Sequence, residues 1–269
     1  MTERTSGRRG KTHPGKTIRP AGLVLLMILA VCGCFSTGCA SNVKNEVIVM
    51  GMIHDQHRTS KLYSIDRIKS FIRSINPDYV LCEIPPDRLD EAMRQFDQTG
   101  KVGEPRVRRF PEYVDALFPL HHELHFKIVP CAAWTKAMSD ERQEKLARFK
   151  KTRPADWAEM ERAEKQADEQ LHREGLDDDP LKIHTDRYDE ITARGLEPYN
   201  RLFNDAIGAG GWDNINAAHY ALITASLDRH KGEGKRFLIM FGAGHKGWML
   251  KKLRQRDDIK LRNLREFAG

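Results

Sequence analysis

The sequence predicts an α/β protein with a mostly parallel central sheet, helices on both faces and a charged helical insertion. Three observations point there. From residue 45 onward, short apolar runs rich in β-branched residues alternate with segments of helical period. The resulting β-α-β-α-β order calls for parallel strands joined by crossover helices. Residues 137–175 then break the alternation with densely charged sequence that has few apolar anchors.

"EVIVMGMIH" (46–54) reads as a buried first strand. Ile65, Ile68, Phe71, Ile72 and Ile75 recur at helical spacing, with Ser64 as N-cap and Pro77 as terminator. "DYVLCEI" (78–84) is a second strand, stopped by Pro85-Pro86. Helices at about 87–97 and about 110–125 lead to a third strand at 126–134. Residues 137–175 predict one or two long solvated helices broken near Pro154, within an insertion of about 137–205 that leaves the sheet. "GLDDDP" (175–180) is a loop, since its aspartates lack the ligand spacing and closing glutamate of a calcium loop. A helix at 215–227, a strand at 236–241, a helix at 247–256 and a strand at 259–264 complete the order.

With 269 residues, 40% of them hydrophobic, the chain can bury one sizeable core. Of the net charge of +7, +5 falls within residues 1–39, which leaves +2 for the rest. A body so near neutrality has no electrostatic footprint for DNA or RNA, and a nucleic-acid partner is excluded. The basic segment runs into "AGLVLLMILAVCGCF", which fits the core of a secretory signal and falls short of the about 20 apolar residues of a stable span. A small residue before Cys39 resembles the lipobox of bacterial lipoproteins, with Ser36 in place of its leucine; Cys34 is a second site of this kind. Residues 1–39 are therefore expected to be a signal, with Cys39 lipidated. Residues 42–269 are expected to form a single domain tethered to a membrane of the cell envelope. Cys82 and Cys131 show no zinc spacing; a disulfide between them and two buried thiols are both open.

The functional signal is an echo. "VIVMGMIH" and "LIMFGAGH" share one form, an apolar run followed by Gly-x-x-His, so that Gly51 precedes His54 as Gly242 precedes His245. Gly242-x-Gly244-x-x-Gly247 also matches a phosphate cradle. That cradle needs the rest of a nucleotide fold downstream, and Glu266, at the right spacing, has three residues after it. The histidine reading explains both stretches. Functional groups of an open parallel sheet gather at the carboxyl ends of its strands, and glycine there lets the backbone turn sharply. If the first and fourth strands are neighbours, His54 and His245 meet, with Glu83 from the second strand on the same rim. Two histidines and a carboxylate are a recurring ligand set for a catalytic divalent metal with open positions. Without metal, the same trio would be a histidine base with a glutamate partner.

These stretches, together with "SIDRIKSFIRSINPDYVLCEIPPDRL", resemble the TraB/PrgY/GumN/TIKI family, within a wider superfamily of erythromycin esterases and ChaN-like haem-binding lipoproteins. The match covers roughly 45–90 and 210–255. It implies an α/β fold, a site at His54, Glu83 and His245, and Arg88 near a family arginine. Asn216 matches the asparagine of an Arg-Asn pair, with Ile215 in the arginine's place, and Met52 departs from the family residue after the first glycine. The second Gly-x-x-His favours the TIKI/TraB branch, for which the resemblance implies a metal-dependent, peptidase-like hydrolase acting on an amide or ester of a peptide or small molecule. Mn²⁺, Co²⁺ and Zn²⁺ all suit such a site. The alternative is a ChaN-like lipoprotein binding haem or another ligand without catalysis, with Tyr63, Tyr113, Tyr188 and Tyr199 as candidate iron ligands. His57 is a candidate substrate contact or extra ligand beside His54, and Arg88 and Asn216 are candidate substrate contacts. His121 and His125, four apart in "LHHELHF", read as a surface cluster on the amino side of the sheet.

Overall fold

The computed structural model describes residues 43–268; the expected signal and lipid-bearing Cys39 lie outside them. Five strands, β1 (Asn45–Met52), β2 (Tyr79–Cys82), β3 (Lys127–Pro130), β4 (Arg236–Gly242) and β5 (Ile259–Arg262), form one parallel sheet in the order β3-β2-β4-β1-β5. The condition on which the meeting of the two histidines depended is met: β1 and β4 pair from Glu46 opposite Arg236 to Met52 opposite Gly242. Strand β2 lies on the other side of β4, with Cys82 opposite Met240. All carboxyl ends therefore share one rim.

The strands alternate sides with period two, and both sides are dry. Ile48, Met50, Val80, Cys82, Leu238 and Met240 face one core, while Val47, Val49, Leu81, Phe237, Ile239 and Phe241 face the other. Onto the first side packs α1 (Ile65–Ile75), whose Ile68, Phe71, Ile72 and Ile75 are buried. Ser64 caps it by accepting from the Arg67 N–H, and Asn76 ends it in the left-handed conformation. Helices α2 (Pro86–Thr99) and α3 (Phe118–Leu124) join this side, and α8 (Trp212–Arg229) and α9 (Ala243–Leu253) cover the other. Cys82 and Cys131 are free buried thiols. They face opposite cores, which is why no disulfide joins them.

Three expectations need correction. Strand β3 ends at Pro130 rather than reaching Trp134, although Cys131 and Ala132 still donate to the carbonyls of Cys82 and Ile84. His125 is not on the helix with His121 but is its left-handed cap. Most importantly, the insertion leaves the sheet only in part: Phe149, Met160, Tyr199, Phe203 and Ile207 form a core of their own, but the rest packs back. It comprises α4 (Lys136–Thr152), α5 (Pro154–Arg173), the short α6 (Pro180–Ile183) and α7 (Asp186–Ile207). Leu171, Leu176, Ile183, Tyr188 and Ile191 belong to the same core as α1. The buried Lys246 of α9 donates to Asp189 of α7 at 2.5 Å. Charged sequence hid these anchors because each helix carries only a narrow apolar stripe. No helix among the described residues is long and apolar enough to cross a membrane.

Candidate functional site

Glu83 stands one residue past β2, beneath the start of α9. Its Oε2 accepts the Gly242 N–H at 2.8 Å, so a carboxylate sits where helix α9 presents its unpaired N–H groups and positive dipole end. Burial would raise the Glu83 carboxyl, but the imidazoles of His245 and His54 and the Gly242 N–H outweigh it and hold it below its ordinary value. Glu83 is anionic at neutral pH. Its own backbone N–H is held by Met240 O and Tyr113 Oη, and the Tyr113 hydroxyl donates to Met240 O at 3.1 Å.

His245 lies in the first turn of α9, its Nε2 at 3.7 Å from Glu83 Oε1. A chain of contacts fixes its tautomer. Trp212 O accepts from Asn216 Nδ2 at 2.8 Å, which turns Asn216 Oδ1 towards His245 Nδ1 at 2.7 Å. An amide oxygen only accepts, so Nδ1 carries the proton and Nε2 keeps a lone pair facing Glu83. Trp212 stacks on the ring, centroids 4.7 Å apart. Burial lowers the His245 pKa against the opposing charge of Glu83; the ring is neutral.

His54 opens a short 3₁₀ turn after β1 with φ of +51°, a conformation that costs a non-glycine residue roughly 1–3 kcal/mol. Its Nδ1 donates to Glu112 Oε1 at 2.7 Å. Glu112 is fully buried and starts a π-helical turn, 112–117, that also carries Tyr113; such turns recur at functional sites. Burial opposes a proton on His54, but the hydrogen bond and charge of Glu112, with the charge of Glu83, prevail and raise its pKa.

The two glycines do something other than turn the chain. Neither Gly51 nor Gly242 has a positive φ; the left-handed residue is His54 itself. Each glycine instead makes room for the opposite motif. A Cβ on Gly51 would stand 3.0 Å from the Ala243 Cα, and one on Gly242 would stand 2.6 Å from His54 Nε2 and 3.5 Å from Glu83 Oε2. The bare Gly242 therefore leaves a small space faced by both His54 and Glu83.

A third imidazole, not foreseen, completes the cluster. His219, one turn beyond Asn216 on α8, is buried, its ring centroid 5.5 Å from that of His245. Ligand atoms of Glu83, His219 and His245 lie within 4.8 Å of one another and could hold a metal ion; His54 is outside this group. The set fits a divalent cation in kind, since it pairs an anionic carboxylate with a neutral imidazole lone pair. Asn216-x-x-His219 at helical spacing was the available signal for His219. Glu112 and Tyr113 had none.

Other expected contacts are placed elsewhere. His57 is clamped by backbone: its Nε2 accepts from Ile53 N at 3.0 Å and its Nδ1 bonds Tyr63 O at 2.7 Å, which occupies both nitrogens. Asn216 is buried and orients His245 rather than facing a substrate. Arg88 turns to Asp87 at 3.1 Å and Glu104 at 4.0 Å. Burial pushes the Cys82 thiol up to about 12, which removes it as a nucleophile. Beyond Trp212 a cleft of about 570 Å³ opens between α7, α8 and α9, lined by Asp189, Trp212, Asp213, Trp248, Lys251 and Arg254 among others; Trp212 is the wall it shares with His245. No family model, curated protein or solved structure matches this chain.

Proposed function

We propose that the chain is a hydrolase that cleaves an amide or ester bond with a divalent cation held by Glu83 and His245, His54 supplying the third donor. The carrying observation is the His245 Nε2 lone pair, fixed by Asn216 and aimed at an anionic Glu83 within a tight group of donor atoms. Histidine ligands usually donate their second ring N–H to an oxygen acceptor, as His245 does to Asn216 and His54 to Glu112. A bound cation would acidify a water and polarise the scissile carbonyl. The chain's own residues set the protonation of the donors. Glu83 stays ionised and His245 stays neutral, while the partly exposed His54, its Nδ1–H held by Glu112, would give up its Nε2 proton to offer a lone pair over Gly242. The cleft beyond Trp212 offers room for the rest of a peptide-sized or smaller substrate.

Export and a lipid anchor at Cys39 belong to the same proposal and rest on the sequence of residues 1–39. No observation favours the haem alternative: Tyr63, Tyr113, Tyr188 and Tyr199 are all buried. The test is elemental analysis of the purified protein before and after chelation, with cleavage of a mixed peptide pool followed in parallel. One equivalent of Mn²⁺, Co²⁺ or Zn²⁺, lost from both His54→Ala and His245→Ala along with cleavage, is expected. Undiminished metal in those variants would refute the site.

A further inference from the structure

We propose that His219 is the site's hydrogen-bond donor for a carbonyl oxygen or oxyanion, and not a ligand of the cation; this rests on the hydrolase reading and names a residue for its chemistry. The imidazoles of His54, His245 and His219 each have one nitrogen engaged by a neighbour, but the engagement differs in sign. His54 and His245 donate through Nδ1, to Glu112 and Asn216. His219 Nδ1 instead accepts, from the Ala133 backbone N–H at 2.8 Å. A backbone N–H cannot be an acceptor, so this nitrogen has no proton and the neutral ring carries it on Nε2. To ligate through Nε2, His219 would have to move that proton to Nδ1 and break the bond to Ala133.

The Nε2–H has no partner. It is a buried side-chain nitrogen left unsatisfied, on a residue with no exposed surface. Buried donors are almost always paired, and an exception calls for a missing partner. Phe241 and Trp134 flank the ring, with centroids at 5.4 and 6.3 Å, and turn it towards His245 and Glu83. A donor locked in one tautomer by backbone, in an apolar setting, is the arrangement that stabilises negative charge growing on an acyl oxygen. The clue lies in Ala133: the paired loop past β3 exists at this point to hold the imidazole.

The test uses the full-length, ¹⁵N-labelled protein at neutral pH. Long-range ¹H–¹⁵N spectra separate protonated from bare ring nitrogens, and His219→Gln assigns the signals. The Nε2–H tautomer is expected at His219 and the Nδ1–H tautomer at His245. Acetate, a carboxylate probe for the acyl oxygen, should shift the His219 Nε2–H resonance downfield. Titration with Co²⁺ should show His219→Phe and His219→Gln weakened by less than about tenfold, and His245→Ala by more than ~100-fold, beyond the range of an outer-shell change. An Nδ1–H tautomer at His219, a resonance unmoved by molar acetate, or Co²⁺ loss in both His219 variants equal to that of His245→Ala would each overturn the proposal. If the wild-type protein takes no Co²⁺, the cation reading falls, while the tautomer and the acetate response still decide the role of His219.

Discussion

The two Gly-x-x-His motifs have the same spacing, end adjacent parallel strands and meet at Met52 opposite Gly242, yet their histidines are in opposite states. His54 leaves β1 in a left-handed turn, is about one-third exposed and has a buried carboxylate behind it, which raises its pKa. His245 sits in the first turn of a helix, is 13% exposed and has a neutral amide behind it; burial lowers its pKa. Spacing therefore sets only the rim that a histidine reaches. The group behind the ring sets its charge, and an environment that drives two neighbouring imidazoles apart separates one that must lose a proton to bind a cation from one that already offers its lone pair.

The harshest way to break this pairing is one methyl group placed in each motif. In Gly242→Ala the new Cβ meets His54 Nε2, the far end of a side chain that can swing away. The protein should fold with little change in Tm and lose more than ~100-fold in Co²⁺ affinity, as for a missing ligand. In Gly51→Ala the Cβ meets the Cα of Ala243, and helix α9 cannot yield without moving His245 and Lys246. Overpacking of this kind costs about 1–3 kcal/mol, visible as a lower denaturation midpoint. Equal phenotypes from the two substitutions would contradict the reciprocal fit.

A gentler change exchanges the groups behind the rings. Glu112→Gln keeps an oxygen acceptor for His54 but removes the charge, so the His54 pKa should fall. Asn216→Asp puts a carboxylate behind His245, whose pKa should rise by about one to two pH units. Histidine NMR titrations of the metal-free variants read both. In the wild type the raised pKa of His54 stabilises the fold below the unfolded value of about 6.5, and that contribution fades as pH rises through the folded value; Glu112→Gln should remove it.

The rim was legible from the sequence because strand-end glycines and a period of two require no tertiary information. The placement of Glu83 and His245 on one edge followed from it, on the condition that the first and fourth strands were neighbours; the full strand order did not. The partners were not legible. Glu112 reaches His54 through a π-helical turn with no local signature, and Ala133 acts on His219 through a backbone N–H that any residue could supply. His57, adjacent in sequence, was the tempting choice, and its two backbone contacts occupy both ring nitrogens. The insertion misled for a compositional reason. Charged residues are frequent along helices α5 and α7, and their buried residues, such as Met160, Ala167 and Phe203, appear only when the two stripes are opposed.

The smallest expected effect concerns that insertion and separates it from the rim. His184 follows α6, accepts the Gly51 N–H through Nε2 at 2.8 Å and bonds Pro180 O through Nδ1. It thereby ties the insertion to the last turn of β1. Burial, with the nearby Lys246 ammonium, depresses its pKa to about 3. Between about pH 6.5 and 3 the unfolded chain binds a proton at this position that the folded chain does not. Stability contributed by neutral His184 is therefore fully present above pH 6.5 and is lost as pH falls through that window. His184→Gln should cost stability at pH 7, through the weakened Gly51 contact, and show a shallower decline on acidification. Denaturant midpoints at pH 7, 6 and 5 measure both. A mutant whose midpoint falls with pH as steeply as the wild type's would place the acid sensitivity elsewhere, with His219, lowered to about 4 by burial and by repulsion from His245 once that ring takes a proton, as the next residue to test.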